Sequence, residues 1–413
     1  MFTDKTAEHE IFFCRMNSTS LNYSGGDLKV KETDSSSGYG IRVLKDKKIG
    51  FAYCQKEGKL NSAISEAQNL SRFSVSSSFS FAGKSEFTMP DIVDKSIDPF
   101  DYDTIREYID QARDGAESAG GKARIIASVG ITELKLENTS GFSGSYQKTD
   151  SSLYTECIHG DGFGISYSAS NKKPKDVYAL GKKAATMAKD MQNAKKPEDG
   201  SYIVSFELET FDSVLGVLLS SFSGDWKRRG ISKLKQNEKM FSEDLTIIDD
   251  GLANGTSARP FDDEGIPSKK RMLVDRGLVC SFLYDRETAA LAGVADYGSC
   301  SRSSFDSHPS ITSSNLCIKP GTCSDLNELD KYLEIHYAHG AHTSNPINGD
   351  IGLEVSGGFL VERGKRTPVK GFMLTGNVYD WFANIKAIEK KTQTLGDLIS
   401  PKIAFNNVRV VSS

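Results

Sequence analysis

The segment from Asp249 to Gly265, DDGLANGTSARPFDDEG, combines five carboxylates, one arginine and three glycines. Glycine permits backbone angles that are closed to other residues, and proline fixes the chain direction, so this composition predicts a loop. Two interpretations fit such a loop: a binding site or a solvated acidic turn. We take Arg259, Asp262, Asp263 and Glu264 as candidate residues for binding a substrate or a partner.

The carboxylates of this loop are also potential ligands for a divalent cation. Oxygen ligands suit calcium or magnesium, but the spacing of Asp249, Asp250, Asp262 and Asp263 matches no defined loop such as the EF-hand. We therefore favour a network in which Arg259 pairs with one of these carboxylates and shapes a cleft between subunits.

Three histidines, His336, His339 and His342, lie three residues apart in the sequence HYAHGAH. In a strand the first and third share a face while the second points away, and in a helix Gly340 breaks the geometry. The spacing therefore does not favour a metal site. We interpret His342 as a loop-orienting or hydrogen-bonding residue and the other two as satisfied surface or edge residues.

Ser257 and Cys280 are the candidate nucleophiles. Neither lies in a Gly-x-Ser-x-Gly turn or close to a histidine in the sequence, so structural roles are predicted for both. The glycine-rich segments at Gly25 and Gly160 lack the lysine and the strand-to-helix context of a phosphate loop, and they are predicted to be hairpin turns. No catalytic residue is assigned to this chain.

The overall charge gives no reason to expect binding to nucleic acid or to a membrane. Lys and Arg number 51 against 55 Asp and Glu, and the basic run at 227–235 has no interleaved aromatic residues. Seven scattered cysteines without a Cys-x-x-Cys pair fit neither a disulfide framework nor a zinc ribbon. The charged first residues are unlike a signal peptide, and no stretch approaches the ~20 apolar residues of a membrane span. A cytoplasmic protein is expected.

The order of strands and helices that must position these residues predicts an α+β fold. Short antiparallel strands at 11–16, 20–24, 27–34, 39–45 and 49–54 are followed by helices at 62–73 and 102–119, and further strands are followed by a helix at 175–191. This pattern of repeated strand and helix units indicates an internal duplication. It predicts an N-terminal α+β domain at residues 1–195, closed by a charged linker at 192–200.

The second half, residues 202–413, is predicted to be a β-rich domain whose strands form a curved antiparallel sheet or barrel. Its strands are predicted at 202–206, 245–248, 270–274, 278–284, 315–319, 332–337, 351–361, 367–374 and 403–411. An apolar helix is expected at 211–221, and a polar connection follows at 227–241. Short helices at 286–293 and 326–331 are expected to decorate the sheet.

Several segments carry a resemblance to a known family. They are GYGIRVLKDKKIGFAY from Gly38, DDG from Asp249, RPFDDEG from Arg259, DRGLVCSFLYDRETA from Asp275, IKPG from Ile318, GAHTSNPINGD from Gly340, GGFLVERGKRTPVKGFMLTGN from Gly357, and the terminal PKIAFNNVRV. In order and spacing, this set resembles the TldD/PmbA family over nearly the whole chain. Each motif alone is weak, but the ordered set is specific.

The resemblance implies a soluble, cytoplasmic proteolytic assembly of two homologous chains, one of which binds zinc through a His-Glu-x-x-x-His helix. This chain departs from that pattern. The expected helix and its continuation to Arg229 contain no histidine, Glu207 and Glu209 precede it without a ligand partner, and no cysteine follows Cys323. The chain therefore resembles the metal-free PmbA or TldE type. No cofactor is expected in this chain, and zinc is expected in the partner subunit.

The function implied is that of a non-catalytic subunit of a TldD/TldE-like metallopeptidase complex that degrades or processes unfolded peptides. The partner would be a metal-bearing TldD-like homologue in a heterodimer, or a second copy in a homodimer. Two alternatives stay open. One is a stand-alone homodimeric binding protein, and the other is a regulator of a nucleic-acid enzyme, as the family's old description as a modulator of DNA gyrase suggests.

Asn345, Gly349, Asp350 and Asn377 join His342 as candidate residues for binding the substrate or the partner. We expect the GAHTSNPINGD segment and the acidic loop to approach each other, because both are glycine-punctuated connections at one end of a β-rich domain. If the acidic loop lies on the surface, Asp263 should be replaceable without unfolding the protein.

Overall fold

The computed structural model describes residues 7–76, 78–295 and 297–412, and the chain has the α+β architecture that its sequence predicts. An antiparallel sheet and three helices make up the first half. Its elements in chain order are β1 (Glu8–Ser24), β2 (Asp27–Lys45), β3 (Lys48–Cys54), α1 (Leu60–Ser71), α2 (Tyr102–Ser118), β4 (Lys122–Asn138), β5 (Ser143–His159), β6 (Gly162–Ser170) and α3 (Val177–Asp190).

The N-terminal sheet has the spatial order β3, β2, β1, β4, β5, β6, so its two three-stranded halves meet where β1 pairs with β4. The strands are longer than the sequence predicts. The separate strands expected at 11–16, 20–24, 27–34 and 39–45 are parts of β1 and β2, because the pairing of these strands runs from Glu8 to Ser24 with one register shift, at Asn22. The expected domain limits stay a prediction, since the sheets alone do not define independently folding units.

Helices α2 and α3 pack closely through glycine. A Cβ atom placed on Gly181 would lie 1.8 Å from the backbone oxygen of Ala112, and one on Gly115 would lie 2.0 Å from that of Tyr178. On α3, the helix that carries Gly181, Ala184 and neighbouring small residues are fully buried. The contact between these helices is therefore one of backbone against backbone.

The second half consists mostly of strands. Its elements in chain order are β7 (Gly200–Phe206), α4 (Leu208–Leu219), α5 (Gly224–Arg228), β8 (Ile247–Asp250), β9 (Lys270–Asp275), β10 (Leu278–Val279), α6 (Arg286–Ala292), β11 (Cys300–Ser301), β12 (Ser310–Ile311), β13 (Leu316–Ile318), β14 (Lys331–His339), β15 (Asp350–Glu362), β16 (Lys365–Val369), β17 (Phe372–Asn377), α7 (Val378–Ala383), β18 (Ile385–Leu395) and β19 (Leu398–Val411).

Five of these strands form a closed ring. The pairing runs from β7 through β14, β15 and β17 to β19, and β19 pairs again with β7. Aromatic side chains such as Phe206, Phe211, Phe382 and Phe405 fill the core between the ring, α4 and α7. The barrel that the sequence predicts for this half is confirmed.

Some local predictions were wrong for identifiable reasons. The helix expected at 326–331 is a single 3-10 turn, because Leu329 already has an extended backbone. The strand expected at 367–374 is two strands, β16 and β17, separated at Gly371, whose φ is +73°. The strand β18 was not predicted, because its sequence IKAIEKKTQTL is largely polar. Among the described residues, no helix has both the length and the apolar character that a membrane crossing needs.

Candidate functional site

The acidic loop from Asp249 to Gly265 is buried against the N-terminal sheet and is not a solvated turn. Its aromatic residue Phe261 is fully buried, with ring centroids 5.1 Å from Phe142 and 5.3 Å from Tyr146. The exposed fractions of its carboxylates are 5% or less. The loop thus joins the two halves of the molecule.

Buried ion pairs fix this junction. Arg42 on β2 donates to Glu10 on β1, with Nε 2.9 Å from Oε1, and to Glu264 in the loop, with Nη1 2.7 Å from Oε1. Arg302 donates to the same Glu10 oxygen at 2.5 Å. Burial opposes ionisation of Glu10, but Arg42 and Arg302 together hold its pKa below the usual value. Burial and the nearby Asp285 raise the pKa of Glu264 in spite of Arg42.

The remaining predicted residues of the loop lie in the same junction. Asp263 accepts from the backbone N–H of Arg302 at 2.7 Å, and Asp262 accepts from those of Glu264 and Ile266 at 3.0 and 2.9 Å. Burial and Glu264 raise the pKa of Asp262 to about 7. The surface position assumed for Asp263 was wrong, because these carboxylates are buried and accept hydrogen bonds from the chain's own backbone and arginines. The binding role of the loop stays a prediction.

Arg259 has a different environment from the other arginines of the junction. It is 9% exposed, and burial opposes its charge while Asp263 and Asp262 raise its pKa. Within the described residues, however, its guanidinium forms no hydrogen bond and no ion pair. The pairing expected from the sequence is therefore an attraction at longer range.

The second group of predicted residues forms one compact loop network. Asn377 accepts from the N–H of Tyr379 at 3.1 Å, capping α7, and its amide donates to Asp350 at 3.0 Å. Asn345 accepts from the N–H of Ile347 at 3.0 Å. Gly349 has a φ of +82°, and a Cβ there would lie 2.4 Å from the ring of Tyr379. The network thus brings together four of the predicted residues, and these hold the loop that carries His342: Asn345, Gly349, Asp350 and Asn377.

An open cleft of about 450 Å³ lies between this loop and α4. The loop contributes His342, Ser344 and Pro346, and β14 contributes His339 at its end. From α4 the cleft is lined by Ser213, Gly216, Val217 and Ser220, which share one helix face. Both His339 and His342 are exposed, as a residue available to a ligand must be.

In the described part of the chain the two predicted segments have different hydrogen-bond partners, and their expected approach stays a prediction. The acidic loop contacts the start of β19, where the N–H of Thr256 donates to Gly396 at 2.9 Å. The loop that carries His342 leads into β15, whose first residue Asp350 pairs with Asn377 at the end of β17. No hydrogen bond or ion pair between described residues connects the two.

A buried charge cluster that sequence reasoning missed lies where α4 begins. Glu334 accepts from Lys402 at 2.8 Å and from Arg366 at 2.5 Å, and His336 lies 3.5 Å from the same carboxylate. Lys402 also pairs with Glu207. Burial opposes the charge of Glu334, but His336, Lys402 and Arg366 hold its pKa well below the usual value. His336 is thus buried and paired, in contrast to the surface or edge role predicted for it.

By distance alone, two sets of described side chains could hold a metal ion: Glu207, Glu334 and His336, and separately Asp262, Glu264 and Cys300. In the first set, Lys402 occupies the position between the carboxylates that a metal would take. In the second set, Glu264 is paired with Arg42, and burial raises the pKa of Cys300 well above the usual value, which favours the thiol over the metal-binding thiolate. Neither set fits a catalytic zinc with an open position.

The fold and the cleft together define an α+β protein with a closed five-stranded ring and an apolar helix beside it. The family models for the PmbA/TldA metallopeptidase C-terminal domain and for the PmbA/TldA metallopeptidase domain 1 match residues 199–412 and 9–71. The chain belongs to the PmbA/TldD family.

Individual relatives agree with this assignment. An uncharacterized protein of Methanocaldococcus jannaschii is 29% identical over 406 residues, which cover 96% of this chain and 95% of the relative. A metalloprotease of Methanothermobacter thermautotrophicus is 25% identical, with 90% and 85% covered. The crystal structure of TldE from Thermococcus kodakarensis has a TM-score of 0.88 at 22% identity, with 98% of this chain and 96% of that chain covered, and it shows a shared fold.

Proposed function

We propose that this chain is the metal-free, non-catalytic subunit of a cytoplasmic TldD/TldE-like metallopeptidase complex that processes unfolded peptides. The observation that carries the proposal is the α4 face toward the cleft, which presents Ser213, Gly216, Val217 and Ser220. The sequence has no histidine from residue 160 to residue 307. The α4 face toward the cleft presents none of the Cys, His, Asp or Glu side chains through which proteins bind zinc.

The role proposed for the chain is to admit and hold the substrate. A cleft of about 450 Å³ can take a few peptide residues, and its lining is largely small and uncharged. A metal-bearing homologue would supply zinc and the water that attacks the peptide bond. The family membership supports the metallopeptidase part of the proposal, because its models describe metallopeptidase domains.

A mixing experiment tests the proposal. The isolated chain, a metal-bearing homologue and their mixture are incubated with an unfolded peptide, and cleavage is followed by mass spectrometry. We expect cleavage by the mixture and none by the chain alone. Robust cleavage by the chain alone that survives metal removal would contradict the proposal. A stable homodimer that adds nothing to any metal-bearing homologue would favour the stand-alone binding protein instead.

Gly216 gives a matched pair of variants for the cleft. A Cβ at this position would meet no atom within 4 Å, so side chains added there extend into open space. We expect Gly216→Trp to fill the cleft and reduce cleavage by the mixture at least tenfold, and Gly216→Ala to leave it unchanged. Equal activity of the two variants would show that the peptide does not use this cleft.

Elemental analysis tests the metal part of the proposal separately. The isolated chain should contain no stoichiometric zinc, because the α4 face offers no ligand. About one tightly held zinc per chain that survives mild chelation would contradict the assignment as the metal-free subunit.

A further inference from the structure

A second cavity, of about 300 Å³, lies between the N-terminal sheet and the loops of the ring half. We call it the junction cavity and define it by Tyr146 and Lys148 on β5, Arg259 and Asp263 in the acidic loop, Arg302 after β11, and Asp397 before β19. It is separate from the cleft at α4, which shares no lining residue with it.

Three polar groups that line the junction cavity have no partner among the described residues. Arg259 is nine-tenths buried, yet its guanidinium forms no hydrogen bond or ion pair. The ammonium of half-buried Lys148 and the hydroxyl of Tyr146, which is 8% exposed, are likewise unpaired. Other buried arginines differ: Arg42 pairs with Glu10 and Glu264, and Arg271 pairs with Asp249 at 3.1 Å.

Donor groups that line a cavity and have no protein partner are available to an acceptor that enters the cavity, and the contact is strong when the side chain is mostly buried. The Nε and Nη1 atoms of Arg302 also lack a partner, but they are shielded from solvent and cannot contact a ligand in the cavity. Burial raises the pKa of Tyr146 far above the usual value, so its hydroxyl keeps its proton and can donate. An acceptor with negative charge would satisfy several of these donors together.

The carboxylates of the cavity are already engaged. Asp263 accepts from the backbone N–H of Arg302 at 2.7 Å, and Asp397 accepts from the hydroxyl of Ser257 at 3.0 Å. Arg302 already pairs with Glu10 at 2.5 Å, so Arg259 and Lys148 are the lining cations that have no ion-pair partner among the described residues. A ligand with one negative charge can contact both cations, whereas Asp263 and Asp397 would repel a dianion more strongly.

We propose that the junction cavity binds the carboxylate group of a small organic acid, held by Arg259, Lys148 and the hydroxyl of Tyr146. The volume equals that of roughly ten water molecules at ~30 Å³ each, which limits the ligand to a molecule of similar size. Binding there bridges β5 and the acidic loop, so it stabilises the contact between the two halves of the chain.

Calorimetric titration of the full chain at constant ionic strength tests the proposal. The probe is N-acetylglycine, and the comparison molecules are its amide, which lacks the charge, and inorganic phosphate. We expect saturable 1:1 binding of N-acetylglycine, with the amide at least tenfold weaker. Tighter binding of phosphate, equal binding of the amide, or no saturable binding of N-acetylglycine would each overturn the proposal.

Variants that keep the fold locate the binding. Tyr146→Phe retains the ring that packs on Phe261, and Lys148→Gln changes a half-buried side chain. Each should weaken binding about tenfold, the loss of one hydrogen bond to a charged group. The matched controls are Tyr154→Phe on β5 and Lys135→Gln on the exposed face of β4, which should bind like the unchanged protein. Unchanged binding by both cavity variants would overturn the proposal.

Discussion

Replacing Arg42 tests whether buried ion pairs hold the two halves of the chain together. The side chain is 4% exposed and contacts Glu10 through Nε at 2.9 Å and Nη2 at 3.1 Å, and Glu264 through Nη1 at 2.7 Å. Arg42→Met keeps much of the volume but leaves Glu264 buried without its cation, while Glu10 retains Arg302. Removal of one partner of a buried pair typically costs about 3–5 kcal/mol.

The free energy of unfolding from urea denaturation measures this loss. The control is Arg15→Met, which removes an ion pair to Glu133 at 3.1 Å on the neighbouring strand, where both side chains are about half exposed. An exposed pair of this kind contributes about 0–1 kcal/mol. We expect Arg42→Met to shift the midpoint far more than Arg15→Met at an unchanged denaturant slope.

A double variant refines the assignment to a particular contact. The double variant Arg42→Met with Glu264→Gln should lose about 1–3 kcal/mol less unfolding free energy than the sum of the losses in the two single variants. The reason is that Glu264→Gln removes the carboxylate that Arg42→Met leaves uncompensated. If Arg42→Met costs no more than Arg15→Met, or if the two single losses are additive, the ion pair does not stabilise the junction and the reasoning is refuted.

Three further predictions concern pH, packing and the charge cluster at α4. The pKa of Asp262, raised to about 7, exceeds the ~3.9 of an unfolded Asp, so folded protein binds more protons and its stability falls as pH rises from about 4 to about 7. Asp262→Asn should remove this dependence of stability on pH. Identical pH profiles of the melting temperature for the variant and the unchanged protein would contradict the prediction. Gly181→Ala should lower the free energy of unfolding by about 1–3 kcal/mol, because the added Cβ meets the backbone oxygen of Ala112. The control Gly216→Ala adds a Cβ that faces open space, so it should leave the stability unchanged or raise it. Equal urea midpoints for the two variants would refute the packing argument. Lys402→Met should lower the free energy of unfolding by several kcal/mol in the same assay, because it leaves the carboxylates of Glu207 and Glu334 buried together. A loss below about 1 kcal/mol would show that water or Arg366 compensates these carboxylates.

The fold was predictable from sequence where local patterns are strong. Apolar spacing placed α2 and α3 within one or two residues, and the strand-rich second half indicated the ring. Strand lengths and β18 were not predictable, because they depend on pairing partners that are distant in the chain. The sequence showed that Gly349 and Asn377 are residue types typical of turns and helix caps. It did not show that they lie in contact with each other.

The environment of the site was less predictable than its residue types. The sequence shows five carboxylates in the acidic loop but cannot show that Arg42, 222 residues away from Glu264, pairs with it after folding. For the same reason the cluster around Glu334 was missed, since Glu207, Arg366 and Lys402 converge only through the closure of the ring. Burial of a charged segment leaves no local sequence pattern when its counter-ions come from another sheet.

Closure of the ring has a consequence for how the protein is made. Strand β7 begins at Gly200 and its ring neighbour β19 ends at Val411, so the first and last strands of this half pair with each other. A ribosome delivers the chain from its N-terminus, at about 5–20 residues per second, and the open edges of β7 and β17 must wait for β19. During that interval they are templates for wrong pairing. A chain shortened by the length of β19 should therefore aggregate during synthesis. A chain that stops after the N-terminal sheet retains all the strand pairings of that sheet, because its six strands, β1 to β6, pair only with one another.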